Sequence, residues 1–197
     1  MDTRTGKEEM EILLPERETV TVHRQSRAMG YVWGVLRLMM GWTFLWAFLD
    51  KAFGLGFATG RDPQTGVITF FGKAAWLKGG SPTAGLKFFA VGPFKSFYTS
   101  IAGTTWLDWL FMASLLLIGL GLLTGVMTRL AAIGGMLWMV CFYTATAIWP
   151  ANNPFMDEHW VYFVALLGIA IVGAGHFLGL GKYWERLDIV KKYPILA

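Results

Sequence analysis

LFMASLLLIGLGLLTGVMTRLAAIGGMLWMVCFYTATAIW, residues 110–149, carries a single charged side chain, Arg129. That arginine sits in a turn between two apolar runs, Leu110–Met127 and Leu130–Trp149. Each run approaches the roughly 20 helical residues needed to cross a hydrocarbon layer of about 30 Å. Two further runs pass the same test, Tyr31–Leu49 and Trp160–Leu180, and only Arg37 and His176 interrupt the four with a basic or acidic group. Composition agrees: 55% of the chain is hydrophobic and 15% charged, where soluble domains carry about 25% charge. Backbone N–H and C=O groups must pair internally in lipid, so each run is read as an α-helix. The expected fold is an all-α integral membrane protein, a four-transmembrane-helix bundle with spans at about 31–51, 107–127, 130–149 and 158–180.

The first run begins too far into the chain, and is too long, for a cleaved signal segment, and Asp50 and Lys51 follow it without a small-residue cleavage pattern. Lys and Arg near the spans set the orientation. One side would hold Arg4, Lys7, Arg17, Arg24, Arg27, Arg129, Lys182, Arg186, Lys191 and Lys192, the other Lys51, Arg61, Lys73, Lys78, Lys87 and Lys95. Ten against six predicts both termini in the cytoplasm of a prokaryotic cell, with the loop 54–105 facing outward. Residues 1–28 then form a cytoplasmic tail, with a short apolar patch at Ile12–Leu14 and an extended-looking TVTV. Residues 29–181 form the membrane domain, and residues 182–197 an interfacial cytoplasmic tail anchored by Tyr183 and Trp184.

Residues 54–105 make a long amphipathic, partly helical loop. Phe70, Phe71, Trp76, Phe88, Phe89, Phe94, Phe97 and Tyr98 alternate with Lys73, Lys78, Lys87 and Lys95. Ser81 before Pro82 reads as a helix start, and Gly92 with Pro93 as a stop followed by a new start. Short aromatic helices with spaced lysines suit the membrane–water boundary, so this segment is read as a lid over the outer mouth of the bundle. Its net charge of four positive would concentrate small anions; anchoring near headgroups is the alternative role of the same lysines. Small residues four apart, Gly30 and Gly34, Gly121 and Gly125, Gly175 and Gly179, predict close helix approach.

Several chemistries are excluded by the residues present. The one cysteine, Cys141, lies mid-span and cannot run a dithiol relay or hold an iron–sulfur cluster. His159 and His176 are seventeen residues apart in one run, about 25 Å along a helix, too far to share a haem iron. No closely spaced His and Cys set suggests zinc, and no phosphate loop suggests nucleotide-driven chemistry. We therefore expect no haem, iron–sulfur cluster or metal bound by this chain alone, and no nucleic-acid partner. What is left is polar residues at two depths. Arg37 and His176 lie near the inner side; Asp50, Asp108, Glu158 and His159 lie at the outer helix ends. Intramembrane ionisable residues are costly and point to function, although Arg37 can also snorkel. Asp157 can cap the fourth helix and Glu158 suits its positive end. Asp50, Asp108, Glu158 and His159 would share one depth and could pass protons beneath the basic lid.

The segments LRLMMGWTFLWAFLDKAFG, WLKGGSPTAGLKFFAVGPFKSFY, GLGLLTGVMTRLAAIGG and NNPFMDEHWVYFVALLGIAIVGAGHFLGLGKYWE resemble the DoxX superfamily. They are most similar to its DoxD branch, the membrane subunit of thiosulfate:quinone oxidoreductase, over nearly all of 31–185. The resemblance implies thiosulfate oxidation to tetrathionate with electrons passed to membrane quinone, and a second small subunit as partner. On that reading Asp50, Asp108, Glu158 and His159 are the catalytic candidates. Trp42, Trp46, Arg37 and His176 are the quinone-side candidates, with aromatic packing the alternative role of the tryptophans. Lys73, Lys78, Lys87 and Lys95 would attract the thiosulfate dianion. The alternative is a noncatalytic DoxX-type subunit anchoring a larger membrane redox complex. Whether bundles pair into a homo-oligomer is left open by the residues.

Overall fold

The computed structural model describes residues 16–62, 64–150 and 153–196. The patch Ile12–Leu14, with Arg4 and Lys7, lies outside these residues. Among the described residues the chain is helical, with one isolated bridge between Arg61 and Ile68. Three helices are long and apolar enough to cross a membrane. These are α1 (Glu16–Phe53), α4 (Thr105–Thr124) and the unit formed by α5 (Thr128–Phe142) with a π-helical extension, Tyr143–Ala147. The loop between α1 and α4 holds a 3₁₀ turn (Trp76–Lys78), α2 (Leu86–Phe89) and α3 (Lys95–Ile101). A shorter apolar helix, α6 (Glu158–Val172), completes the bundle, and α7 (Gly181–Trp184) and α8 (Asp188–Lys192) follow it. We call the two ends of the bundle the loop end and the tail end.

Two boundaries differ from the sequence reading. The first helix begins at Glu16, so TVTV (Thr19–Val22) is helical although its β-branched residues favour strand. Adding turns to a formed helix avoids the nucleation cost, which is why propensity loses here. The fourth apolar run stops early: α6 has 15 residues, about 22 Å at 1.5 Å per residue. Gly173, at φ 65°, turns the chain and donates its N–H to the Ile169 carbonyl. Residues 173–180 then fold back as a 3₁₀ turn (Ala174–His176) and loop, with the Leu180 N–H on the Thr124 carbonyl at 2.8 Å. His176 is consequently off the helix.

Small residues set how closely the helices approach. A Cβ on Gly119 would come within 2.7 Å of the Leu45 backbone nitrogen, so α4 lies directly on α1. Gly30 and Gly34 instead face Phe177, and Gly125 meets the backbones of Gly175 and Gly179, so these pairs receive the turn and loop beyond α6 and not another helix. Met40, Phe44, Met112, Leu115, Leu122, Leu166 and Ile169 fill the centre. Outward-facing apolar residues are plentiful, Phe88 at 82% exposure being the extreme.

Candidate functional site

At the loop end each buried carboxylate holds a piece of the loop. Asp50, 2% exposed, accepts the N–H groups of Phe57 and Ala58, each at 3.0 Å. Phe57 stands edge-on to Trp46, with centroids 5.1 Å apart, and Trp46 packs on Trp42 at 5.6 Å. The two tryptophans are thus packed on each other and on the loop, with Trp42 half-exposed. Asp108, 7% exposed, accepts the Ser81 hydroxyl at 2.9 Å, the Thr83 N–H at 3.1 Å and the Thr83 hydroxyl at 2.6 Å. Thr83 Oγ1 in turn accepts the Gly103 N–H at 3.0 Å. This corrects the reading of Ser81 as a helix cap: α2 starts only at Leu86 without a side-chain cap. The Ser81 hydroxyl goes to Asp108 because a buried carboxylate needs donors more than a four-residue helix needs a cap.

Beyond Asp108 the loop is tied to the π-helical segment. The Val91 N–H donates to the Ala145 carbonyl at 2.9 Å, and Tyr98 Oη lies 2.6 Å from Thr144 Oγ1. Burial raises the Tyr98 phenol above its ordinary range. The Ala145 carbonyl lies in the last turn of this segment, where a helix leaves its carbonyls without internal donors.

Helix α6 opens on the expected cap. Asp157 Oδ1 accepts the His159 N–H at 3.1 Å, while its Oδ2 lies 2.5 Å from His159 Nδ1. An ionised carboxylate can only accept, so Nδ1 carries the hydrogen of this contact. The His159 ring leans on Phe142 at 5.9 Å; Phe142 stacks on Trp138 at 5.5 Å, and Trp138 meets Phe111 at 4.9 Å. Lys51 Nζ lies 5.9 Å from the Phe111 ring on the far side of this aromatic row. His159 also lines a surface crevice with Met139, Val140, Tyr143, Trp160 and Phe163, too tight at present to admit a water molecule. Glu158 is exposed. The ligand atoms of Asp157, Glu158 and His159 lie within 4.8 Å of one another, but two of the three are already bonded together as a cap.

Among the described residues no hydrogen bond or ion pair joins Asp50, Asp108, Glu158 and His159 to one another. The expected ring of four is instead three separate arrangements, because the carboxylates meet backbone and hydroxyl donors closer at hand. Lys73, Lys78, Lys87 and Lys95 are all exposed. A Cβ placed on Gly103 would lie 3.6 Å from Lys87 Nζ and 3.7 Å from the Ser81 hydroxyl. Asp62 makes its own turn nearby, its carboxyl lowered by the N–H groups of Thr65 and Gln64.

Arg37 occupies the tail end. It is fully buried and reaches five carbonyls: Ala174 from Nε at 3.2 Å, Leu122 and Leu123 from Nη1, and Phe177 and Leu178 from Nη2 at 3.0 Å each. The snorkelling reading is thereby corrected, since the guanidinium points inward. The carbonyls of Leu122 and Leu123 are those that a helix C-terminus leaves unpaired, and the other three belong to the chain beyond the break in α6. Their partial negative charge stands in for a carboxylate counter-ion. His176 Nε2 lies 2.6 Å from Glu185 Oε1, although without hydrogen-bond alignment. Arg37 and His176 are thus at the opposite end of the bundle from His159.

Sequence reasoning did not assign Ser81 and Thr83 as partners of Asp108, or Phe142 as the ring beneath His159. The GGSPTAG signature was the available signal for the first. Comparison with family models, with curated proteins and with solved structures finds no match to this chain.

Proposed function

We propose that this chain is the membrane subunit of a sulfur-compound:quinone oxidoreductase of the DoxX type, with thiosulfate as the donor class. In this reading α1, α4, the α5 unit and α6 all lie in the membrane, with the termini in the cytoplasm and the loop end outside. The observation that carries it is the Asp157–His159 contact, with the His159 ring against Phe142 and on the wall of a surface crevice that it shares with Trp160. Two thiosulfates joined as tetrathionate release two electrons, and a quinone accepting them takes up two protons. A histidine whose Nδ1 is held by a carboxylate leaves Nε2 to exchange those protons. Aromatic walls suit a flat quinone ring, for which the crevice would have to open, and the exposed lysines of the loop would raise the local concentration of a dianion.

The test is turnover. Membranes holding this chain and its natural partner should reduce a quinone analogue when thiosulfate is added, and His159→Gln should slow that step about a hundredfold, the usual contribution of a positioned acid–base group. Absence of thiosulfate-dependent reduction in the complete complex would refute the reading.

A second reading is favoured by a different observation. Asp50, Asp108 and Arg37 are fully engaged in holding backbone and loop, as expected of a noncatalytic subunit that anchors a larger redox assembly. A complex recovered in mild detergent that keeps its activity after this chain is removed would establish that role.

A further inference from the structure

We propose that the tail end binds the phosphate group of an anionic membrane lipid, through the N-terminus of α5, the Thr128 hydroxyl and the Arg129 guanidinium. This site is separate from His159 and does not depend on the redox chemistry.

The first observation is the helix start. Met127, at φ 52°, delivers the chain into the 15-residue α5 with no side-chain cap. The first N–H groups of a helix have no intrahelical acceptor and carry the positive end of its dipole, which makes them a binding surface for phosphate. The second observation points to a ligand independently. Thr128 is 2% exposed, and its Oγ1 has no hydrogen-bond partner among the described residues. Buried hydroxyls are seldom left so.

That hydroxyl faces a cavity lined by Gly125, Arg129, Gly173, Gly175, Gly181 and Glu185 as well as Thr128. The glycines make the space: a Cβ on Gly175 would come within 2.4 Å of Thr128 Oγ1. Its water-accessible space is about 10 Å³. A well of that size takes one oxygen-sized group. One phosphate oxygen therefore fits the well, accepting from Thr128, while the rest of the group stays in the mouth by Arg129. Arg129 donates from Nη1 to the Pro194 carbonyl at 3.0 Å, and its other N–H groups are available to the anion. The one acidic wall residue is Glu185, whose Oε1 lies 2.6 Å from His176 Nε2.

The apolar surroundings favour a lipid as the source. Leu130, Leu178, Leu180 and Tyr183 are exposed at this end, and α4 and the α5 unit, both of membrane-crossing length, meet here. An anion carrying acyl chains would satisfy both the well and this rim.

The full chain, purified in detergent, would be titrated with phosphatidylglycerol, with diacylglycerol of the same chains, and with inorganic phosphate alone. Melting temperature and retained lipid by native mass spectrometry are the readouts. Phosphatidylglycerol should stabilise the protein and remain bound. Its apparent affinity should fall about tenfold in Thr128→Val and in Arg129→Gln, the scale of one charge-assisted hydrogen bond, whereas Thr128→Ser should keep it. Equal stabilisation by diacylglycerol would overturn the proposal. So would unchanged lipid affinity in a Thr128→Val protein whose lipid-free melting temperature matches the parent. Stabilisation by inorganic phosphate alone, lost in the same variants, would keep an oxyanion site and overturn its assignment to lipid.

Discussion

Arg37 Nε donates to the Ala174 carbonyl at 3.2 Å, joining the first helix to the chain just beyond the break in α6. The same guanidinium covers carbonyls at the end of α4, so one side chain closes three segments at once. An unsatisfied buried polar group costs roughly 1–3 kcal/mol, and removing Arg37 would orphan up to five. Arg37→Met should therefore destabilise the protein by more than about 4 kcal/mol, read as thermal unfolding in detergent. Arg37→Lys should recover only part of this, because an ammonium has three donors and no planar fork.

Asp108 should matter to the loop more than to the bundle. Asp108→Ala leaves Ser81, Thr83 and the Thr83 N–H without their common acceptor. Protease cleavage within 79–103 should rise, with a stability loss of about 2–3 kcal/mol. Cleavage at the parental rate would show that the network does not hold the loop down.

Asp157 has two tasks that substitution can separate. Asp157→Ser keeps a helix cap and removes the carboxylate at His159 Nδ1, so stability should stay within about 1 kcal/mol of the parent. Quinone reduction should nonetheless fall by about tenfold or more, because the ring loses its fixed tautomer. Equal activity in the two proteins would show that the Asp157 carboxylate does not assist the chemistry.

The turn at Asp62 predicts a pH effect of definite sign. Its carboxyl is held below the ordinary value by N–H donors, Thr65 first and Gln64 second. A depressed folded-state pKa gives stabilisation that is complete above the unfolded carboxylate pKa, about 3.9, and is lost as pH falls through the lower folded value. Amide exchange of Gly66, whose N–H donates to the Asp62 carbonyl at 2.9 Å, should accelerate relative to the intrinsic rate in that acidic window. Asp62→Ala should abolish the pH dependence.

Hydropathy alone made the runs around Arg129 legible, since long apolar stretches and a two-residue polar break need no tertiary information. Asp157 as a cap was legible too, because its partner, the His159 N–H, lies two residues away. The destination of Arg37 was not: the carbonyls that receive it come from positions up to 141 residues distant, and backbone acceptors leave no mark in composition. The early end of α6 was written in GAGHFLGLG, but its leucines, alanine and phenylalanine keep hydropathy high through a turn. Likewise Ser81 looked like a cap beside Pro82 because local patterns cannot show a buried aspartate arriving from α4.

The central claim is that a quinone-type ring meets His159 at the loop end. A photoreactive quinone analogue, irradiated with the full chain in lipid vesicles, tests it most directly. The account predicts labelling within peptides spanning Met139–Phe163, strongly reduced by excess unlabelled quinone and by His159→Leu. Competable labelling confined to the tail end, around Arg37 and His176, would contradict it.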